Sequence, residues 1–283
     1  MWRFRPKIGT VIFSLVSFLV LAALPIHAAN PAEQELQTKF LNRAVFIRGF
    51  YSNDDLSFDA QGKPIGSPTS GPWSLALFEV QKVKLDKHRI EFEGFRAASV
   101  FDPESKKFKS VPLKNLERVR LTIVAETRSA LPGGLDDLAN HVLTSRLTTA
   151  DVPEYWHDFF HGSAQQPRPG GEQFGVISGE QFEGDPVYRS GVGPGFTPPK
   201  LKSKSEPNYS EQARSSHIQG TTVIELIIDK RGVPQNLQVV RAIGFGLDDR
   251  AIEAAQRWRF DPATFNGVPV PVQIWVEVEF RLF

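Results

Sequence analysis

The sequence predicts an α+β protein with two folded parts: a β-rich N-terminal domain and a smaller C-terminal domain of order α-β-β-α-β. Three observations carry this prediction. Apolar and polar residues alternate in residues 118–123 and, over seven apolar positions, in residues 270–282, as in half-buried strands. Leu247, Ala251 and Ala255 recur at helical spacing. A stretch rich in Gly and Pro separates the two parts.

The first 29 residues have the order of a secretory signal peptide. The basic residues Arg3, Arg5 and Lys7 precede an apolar run over residues 8–24, and small residues follow Pro25. A membrane anchor is the competing interpretation, although seventeen helical residues span about 26 Å, slightly less than the hydrocarbon layer of ~30 Å. Both interpretations predict a periplasmic protein, either soluble after cleavage or held in the inner membrane by residues 8–24.

Charge and cysteine usage narrow the class of protein. The chain has 33 Lys and Arg against 32 Asp and Glu, a net charge of +1. Removing residues 1–29, which hold three of the basic residues and no acid, leaves 30 against 32, or −2. This balance gives no electrostatic attraction to nucleic acid. The absence of cysteine excludes disulfides, a lipid-modified N-terminal cysteine and thiol nucleophiles.

Residues 35–162 are predicted to form the β-rich domain, whose role the sequence leaves unknown. Segments rich in Val, Ile, Phe and Leu predict strands at residues 43–51, 73–80, 82–86, 89–101 and 118–125. Turn residues separate these strands, for example at residues 52–55. Residues 135–147 have helical spacing, and residues 155–160 are predicted to be a second, short aromatic helix.

Residues 163–207 are predicted to be a linker, because these 45 positions contain 8 Gly and 7 Pro and few large aliphatic residues. The C-terminal domain then covers residues 208–283. Its predicted elements are a helix at 209–218, a hairpin of strands 221–229 and 235–242, a helix from 247 to 258, and a strand at 270–282. Asp248 and Asp249 stand at the start of the second helix, where acids suit the positive helix end. These elements predict a three-stranded antiparallel sheet covered by two helices.

This C-terminal quarter resembles the periplasmic C-terminal domain of the TonB family. The matching motifs follow one another at residues 220–223 (GTTV), 229–232 (DKRG), 246–248 (GLD), 258–263 (WRFDPA) and 267–272 (GVPVPV). Members of the family use this domain to hold a short segment of an outer-membrane transporter, which adds as a strand beside the last strand of the sheet. The resemblance therefore implies a protein that binds a transporter or another envelope protein.

The resemblance implies that the last strand binds the partner. Its candidate residues are Gln273, Ile274, Trp275, Val276, Glu277, Val278, Glu279, Phe280 and Arg281. Unpaired backbone N–H and C=O groups at the edge of a sheet supply the affinity in this mode of binding. Trp275 is a candidate for a partner contact, and a purely structural cross-strand role is the alternative. Trp258 is in phase with Ala251 and Ala255, which predicts a core anchor.

Two hypotheses for the whole chain stay open. In the first, an anchored chain transduces energy for transmembrane transport together with an inner-membrane motor complex. Family members of that kind carry a histidine within the anchor, whereas the nearest histidine here, His27, follows Pro25 at the end of the apolar run. In the second, the chain is an adaptor that acts independently of the membrane, and its N-terminal β domain binds a ligand.

The sequence predicts no enzyme, no cofactor and no metal site. His157 and His161 have the i, i+4 spacing of the zinc-peptidase helix, with Asp158 between them. Aspartate is one methylene shorter than the glutamate of that motif, and nothing in the sequence selects a third ligand. Residues 191–195 are glycine-rich but lack the preceding strand and following helix of a phosphate-binding loop.

Overall fold

The computed structural model describes residues 30–86, 89–113, 117–124, 134–164 and 174–282. The predicted signal peptide or anchor, residues 1–29, lies outside the described residues. Within the described ranges, no helix is both long enough and apolar enough to cross a membrane. The predicted α+β class is confirmed, since strands predominate and the helices are few and short.

The N-terminal part is a seven-stranded sheet accompanied by short helices. Its strands are β1 (Ala44–Ile47), β2 (Asp55–Phe58), β3 (Leu77–Leu85), β4 (Arg89–Asp102), β5 (Lys107–Pro112), β6 (Arg118–Val124) and β7 (Leu143–Thr144). Its helices are α1 (Pro31–Phe40), α2 (Gly134–Val142) and α3 (His157–His161), with 3-10 turns at Trp73–Leu75 and Glu154–Trp156. The spatial order is β2-β6-β4-β3-β1-β7, and β5 pairs with the far end of β4.

The sequence prediction misses three strands of this sheet: β2, β5 and β7, the last of which lies within the predicted helix 135–147 and pairs with β1. β2 overlaps a predicted turn, and it forms because Leu56 and Phe58 enter the core while its backbone pairs in parallel with the distant β6. β5 is largely exposed and carries several lysines, so local hydrophobicity does not indicate it. Its partner is the second half of β4, where Ala97–Asp102 extend beyond the residues that pair with β6.

One hydrophobic core belongs to the N-terminal sheet alone. Alternate strand residues bury their side chains there, among them Phe78, Val80, Ile90, Phe92, Leu121 and Ile123. Helix α1, which the sequence prediction does not include, adds Leu36 and Phe40. The rings of Phe40 and Phe92 meet edge to face, with centroids 5.4 Å apart.

The C-terminal part begins within the segment predicted to be a linker. Its strands are β8 (Gly175–Phe182), β9 (Asp185–Arg189), β10 (Phe196–Thr197), β11 (Lys200–Ser203), β12 (Gly220–Ile228), β13 (Pro234–Arg241), β14 (Arg259–Asp261), β15 (Thr264–Phe265), β16 (Val268–Pro269) and β17 (Val272–Phe280). Its helices are α4 (Glu211–Ser215) and α5 (Leu247–Ala255). The main sheet has the order β13-β12-β17-β9-β8.

This main sheet has five strands where the sequence predicts three. β12 pairs antiparallel with β13 and β17, as the predicted hairpin and last strand require. The two additional strands come from residues 163–207: β9 pairs with β17 in parallel, and β8 pairs with β9. The sheet is therefore mixed and not wholly antiparallel.

The composition of residues 163–207 predicts a linker because Gly and Pro counts ignore where those residues lie. The β8–β9 turn consists of Glu183 and Gly184, both with positive φ (50° and 85°), as a tight hairpin turn requires. Val187 in β9 is fully buried. The Tyr188 ring stacks on the Phe174 ring, with centroids 5.3 Å apart. These are tertiary contacts, which composition does not report.

The two sheets are joined directly. The Phe101 N–H donates to the Ile243 carbonyl (2.9 Å), and the Phe245 N–H donates to the Ser99 carbonyl (3.0 Å). Gly244, between them, has φ +97°, and a Cβ there would lie 2.0 Å from the Ser99 carbonyl oxygen. A second core cluster contains buried residues of both parts, including Trp73 and Trp156 with Phe245 and Leu247. Backbone hydrogen bonds and a shared core thus hold the two parts together.

Candidate partner-binding edge

The predicted partner-binding residues fall in one strand of the structure. Gln273 to Phe280 lie within β17, and Arg281 follows its last residue. On one side, β17 pairs with β12 along its whole length, from Val272 opposite Ile228 to Phe280 opposite Gly220. The backbone groups along one edge of β17 are therefore all paired with β12, and any partner strand must add to the other edge.

Strand β9 occupies the beginning of the other edge. The Tyr188 N–H donates to the Pro271 carbonyl (3.0 Å), and the Ser190 N–H donates to the Gln273 carbonyl (3.1 Å). Because backbone groups of alternate residues point to opposite edges of a strand, Glu277 and Glu279 also direct their N–H and C=O groups toward this side. In the described part of the chain, no strand pairs with Val276–Phe280 here. We call these five residues the open edge.

The side chains of the open edge alternate between a buried and an exposed face. Val278 and Phe280 are almost fully buried, and the Phe280 ring meets Tyr209 edge to face with centroids 5.5 Å apart. Glu277 and Glu279 point to the opposite face, where the first pairs with Arg241 (3.1 Å) and the second with Arg281. Charge along the edge is therefore largely neutralised within the protein.

A groove of about 720 Å³ runs beside the open edge. Residues of β17, of the segment before α4 and of β12 line it: Lys204, Glu206, Pro207, Tyr209, Thr221, Glu277, Val278, Glu279, Phe280 and Arg281. Trp258 Nε1–H donates to the Ser205 carbonyl (2.9 Å), which fixes the wall opposite β17. The groove borders the unpaired backbone groups of β17 that strand addition uses, and its lining mixes charged side chains with the partly exposed Pro207 and Tyr209.

The opposite edge of the sheet, β13, has a different environment. The 3-10 turn Glu154–Trp156 and α3, both from the N-terminal part, pack against β13. The Tyr155 hydroxyl donates to Asp249 Oδ1 at 2.7 Å and ties this contact to α5. β13 also borders a cavity of about 720 Å³, but residues of the N-terminal part, among them Glu154 and Tyr155, help to line it.

Comparison with known proteins identifies the C-terminal part. Residues 205–282 match the family model of the Gram-negative bacterial TonB protein C-terminal. Residues 205–282 form a TonB C-terminal domain. The chain is 33% identical over 86 residues to Protein TonB of Vibrio cholerae, and 29% identical over 82 residues to Protein TonB of Xanthomonas campestris pv. campestris.

These similarities concern only part of each protein. The matches cover 30% and 29% of this chain, and 35% and 37% of the two relatives. The chain thus spans about a third of the length of the curated relatives it matches. The TonB domain contains α4, β12, β13, α5 and β14–β17, whereas β1–β11 lie outside the matched region.

The role predicted for Trp258 as a core anchor of the TonB domain is confirmed. Its side chain is 3% exposed and belongs to the same cluster as Ala251 and Ala255. Its indole N–H also holds the groove wall through Ser205. Trp275, a candidate for a partner contact, is half-buried in β17, and that contact remains a prediction.

Two buried acids of the TonB domain have roles that the sequence does not indicate. Asp248 accepts hydrogen bonds from the Thr222 hydroxyl (2.7 Å) and the Ile243 and Gly244 N–H groups (2.9 and 2.7 Å). Desolvation by burial raises the pKa of Asp248 to about 7, although these hydrogen bonds oppose the rise. Burial likewise raises the pKa of Asp249 to about 6. The sequence predicts only a helix-dipole role for both residues.

The histidine pair stands at the rim of the N-terminal part. The rings of His157 and His161 lie 6.4 Å apart between centroids, and His157 Nε2 is 3.3 Å from the Val152 carbonyl oxygen. Among the described residues, no group of three or more His, Cys, Asp or Glu is arranged to hold a metal ion.

Proposed function

We propose that this chain binds an extended segment of an outer-membrane transporter, or of another envelope protein, by strand addition to the open edge Val276–Phe280. One observation carries the proposal. Among the described residues, no strand pairs with the open edge of β17, which keeps backbone donors and acceptors that face a groove of about 720 Å³. The family resemblance supplies the class of partner.

The free energy of backbone hydrogen bonding alone indicates how much binding free energy the groove must contribute. Glu277 and Glu279 offer two N–H and two C=O groups, and four backbone hydrogen bonds contribute about 4 kcal/mol in total. That free energy corresponds to a dissociation constant of about 1 mM, so micromolar binding needs a further ~4 kcal/mol. Burial of roughly 160 Å² of apolar partner surface supplies this amount. Pro207 and Tyr209, which line the groove and are partly exposed, are where that burial would take place, because Val278 and Phe280 already lie in the core.

Whether binding transduces energy depends on residues 1–29. Retained in the inner membrane, they would place the chain beside a motor complex and make it an energy transducer for transmembrane transport. Removed as a signal peptide, they would leave a soluble periplasmic binding protein. We propose the periplasm as the site of action in both cases. The mass of the protein recovered from the membrane and soluble fractions distinguishes the two.

Proline substitution along β17 tests strand addition, because alternate residues direct their N–H groups to opposite edges of the strand. Proline at one position should weaken partner binding, and proline at the next should lower stability. Glu279→Pro removes an N–H that faces the open edge, a position where edge strands tolerate proline. Partner binding should fall by about tenfold or more, since a backbone hydrogen bond is lost and the proline ring blocks close pairing. Binding is measured by titration with a peptide copied from the periplasmic segment of a transporter from the same cell.

Two variants control this experiment. Glu279→Ala keeps the N–H and should bind within about twofold of the unmodified protein. Val278→Pro removes an N–H that faces β12, so it should lower the free energy of unfolding by about 3 kcal/mol. Undiminished binding by folded Glu279→Pro would exclude strand addition at this edge.

A further inference from the structure

Strand β9 lies on the same side of β17 as the proposed partner. It pairs with Val272 and Gln273, and its last hydrogen bond runs from the Ser190 N–H to the Gln273 carbonyl. The open edge begins three residues later. A strand added to β17 therefore lies in line with β9, and the two are adjacent end to end.

The β8–β9 hairpin is held in place by contacts at several points. Val187 is fully buried, and Tyr188 packs against Phe174 and Phe265. At the turn of the hairpin, Asp185 forms an ion pair with Lys230 of the β12–β13 turn. A short strand anchored by a buried side chain, stacked rings and an ion pair resists displacement by a peptide.

We propose that the β8–β9 hairpin is a register stop, which confines the partner strand to the open edge and excludes pairing farther toward Gln273. This inference rests on the proposed function. The open edge holds five residues, which span roughly 17 Å at 3.3 Å per residue. The partner that fits is a short extended segment whose chain leaves the sheet plane where it meets Ser190.

Register matters because a strand has a period of two. A slip by two residues keeps the same side chains on the same face, so an apolar alternating peptide has several equivalent registers on an unobstructed edge. Obstruction at Ser190 removes the registers that extend toward Gln273. The hairpin thus selects among registers of the partner strand, which backbone hydrogen bonding alone does not distinguish.

Disulfide trapping tests the inference, because the chain has no cysteine of its own. The probe is a peptide longer than the open edge, copied from the periplasmic segment of a transporter from the same cell, with one cysteine moved along its length. Each peptide is mixed with the Glu279→Cys protein in a redox buffer. We expect trapping to be concentrated at one peptide position.

Two changes to the hairpin make the test decisive. An Arg189→Cys/Gln273→Cys pair is designed to staple β9 to β17, because the two residues are paired and neighbouring strands lie about 4.8 Å apart, within the Cα separation that a disulfide spans. Ser190→Pro removes the last hydrogen bond, and Ser190→Ala keeps it as the matched control. We expect the oxidised, stapled form of the double variant to bind within about twofold of its own reduced form. Ser190→Pro should add a second trapped position, two peptide residues away.

The outcomes of these experiments decide whether the β8–β9 hairpin is a register stop. A loss of about tenfold or more on stapling would overturn the inference, because the hairpin would then have to move aside for the partner. An unchanged single register in folded Ser190→Pro would also overturn it. If Ser190→Pro does not fold, the stapled protein decides alone. Absence of binding by the unmodified protein would instead refute strand addition itself.

Discussion

The two outer strands of the TonB domain, β13 and β17, have similar lengths and opposite environments. β13 is packed against the 3-10 turn Glu154–Trp156 and α3, which lie far away in the chain. β17 receives only a short strand at its beginning and keeps Val276–Phe280 open beside a groove. Both strands pair with β12 in the same hairpin-and-return arrangement. The difference arises from the surrounding parts of the chain and not from the strands themselves.

Whether the edge of a strand is exposed depends on the whole molecule and not on the strand alone. An exposed edge is a template for pairing with other chains, and proteins cover edges that they do not use. The N-terminal part packs against β13, and the β8–β9 hairpin pairs with the beginning of β17. The part of β17 that stays open is short, which suits one partner strand.

The largest expected effect comes from breaking the junction that places the N-terminal part against β13. Gly244→Ala would strain a residue at φ +97° and bring a Cβ to 2.0 Å from the Ser99 carbonyl oxygen. The free energy of unfolding should fall by about 3 kcal/mol or more, measured by chemical denaturation. Amide hydrogen exchange in β13 should rise more than exchange in β17.

Gly267→Ala is the matched control for that variant. Gly267 also has positive φ (+78°), but no atom lies within 4 Å of the Cβ position. It should therefore cost only about 1 kcal/mol of backbone strain. Equal losses for the two variants would show that the contact with Ser99 contributes nothing to the junction.

An intermediate effect concerns pH, through the buried acids at the same junction. Burial raises the pKa values of Asp248 and Asp249 to about 7 and about 6, above the unfolded value of 3.8. The folded state therefore binds more protons than the unfolded state between these values. The stabilisation that this uptake provides is complete below pH ~4 and is lost as pH rises through about 6 to 7.

Asp249→Asn sharpens this test, because an amide keeps an acceptor for the Tyr155 hydroxyl and does not titrate. The dependence of the free energy of unfolding on pH should become shallower by up to about 1.4 kcal/mol per pH unit. Measurements from about pH 4 to pH 8 cover the window of both groups. A slope identical to that of the unmodified protein would show that Asp249 titrates normally.

The smallest expected effect lies on the side of β17. Trp258→Phe keeps a large ring in the core and removes the N–H that holds Ser205 in the groove wall. The free energy of unfolding should fall by about 1 kcal/mol, and binding of the transporter peptide should weaken severalfold. Stability measurements and peptide titration separate the two effects. Stability lost with unchanged binding would mean that the wall does not contribute to recognition.

Sequence reasoning predicts the central elements of the TonB domain because their signals are local. The alternation before residue 282 predicts β17, and the Lys230–Gly232 turn between two apolar runs predicts the β12–β13 hairpin. Helix α5 begins at Leu247, as the spacing of its apolar residues predicts. Strands β8 and β9 are not predicted, because the contacts that hold them, one buried valine and a stacked pair of rings, depend on the tertiary structure.

The sequence by itself determined the class of the fold, the strand that carries the candidate site, and Trp258 as a core residue. Apolar periodicity and turn-forming residues depend on a few neighbouring positions, so they predict structure without knowledge of the fold. Only the tertiary structure decided which part of β17 is open, that β13 packs against the N-terminal part, and that Asp248 and Asp249 are buried. These properties depend on residues such as Tyr155, Ser99 and Ser190, which are distant in the chain and are brought to the TonB sheet by packing.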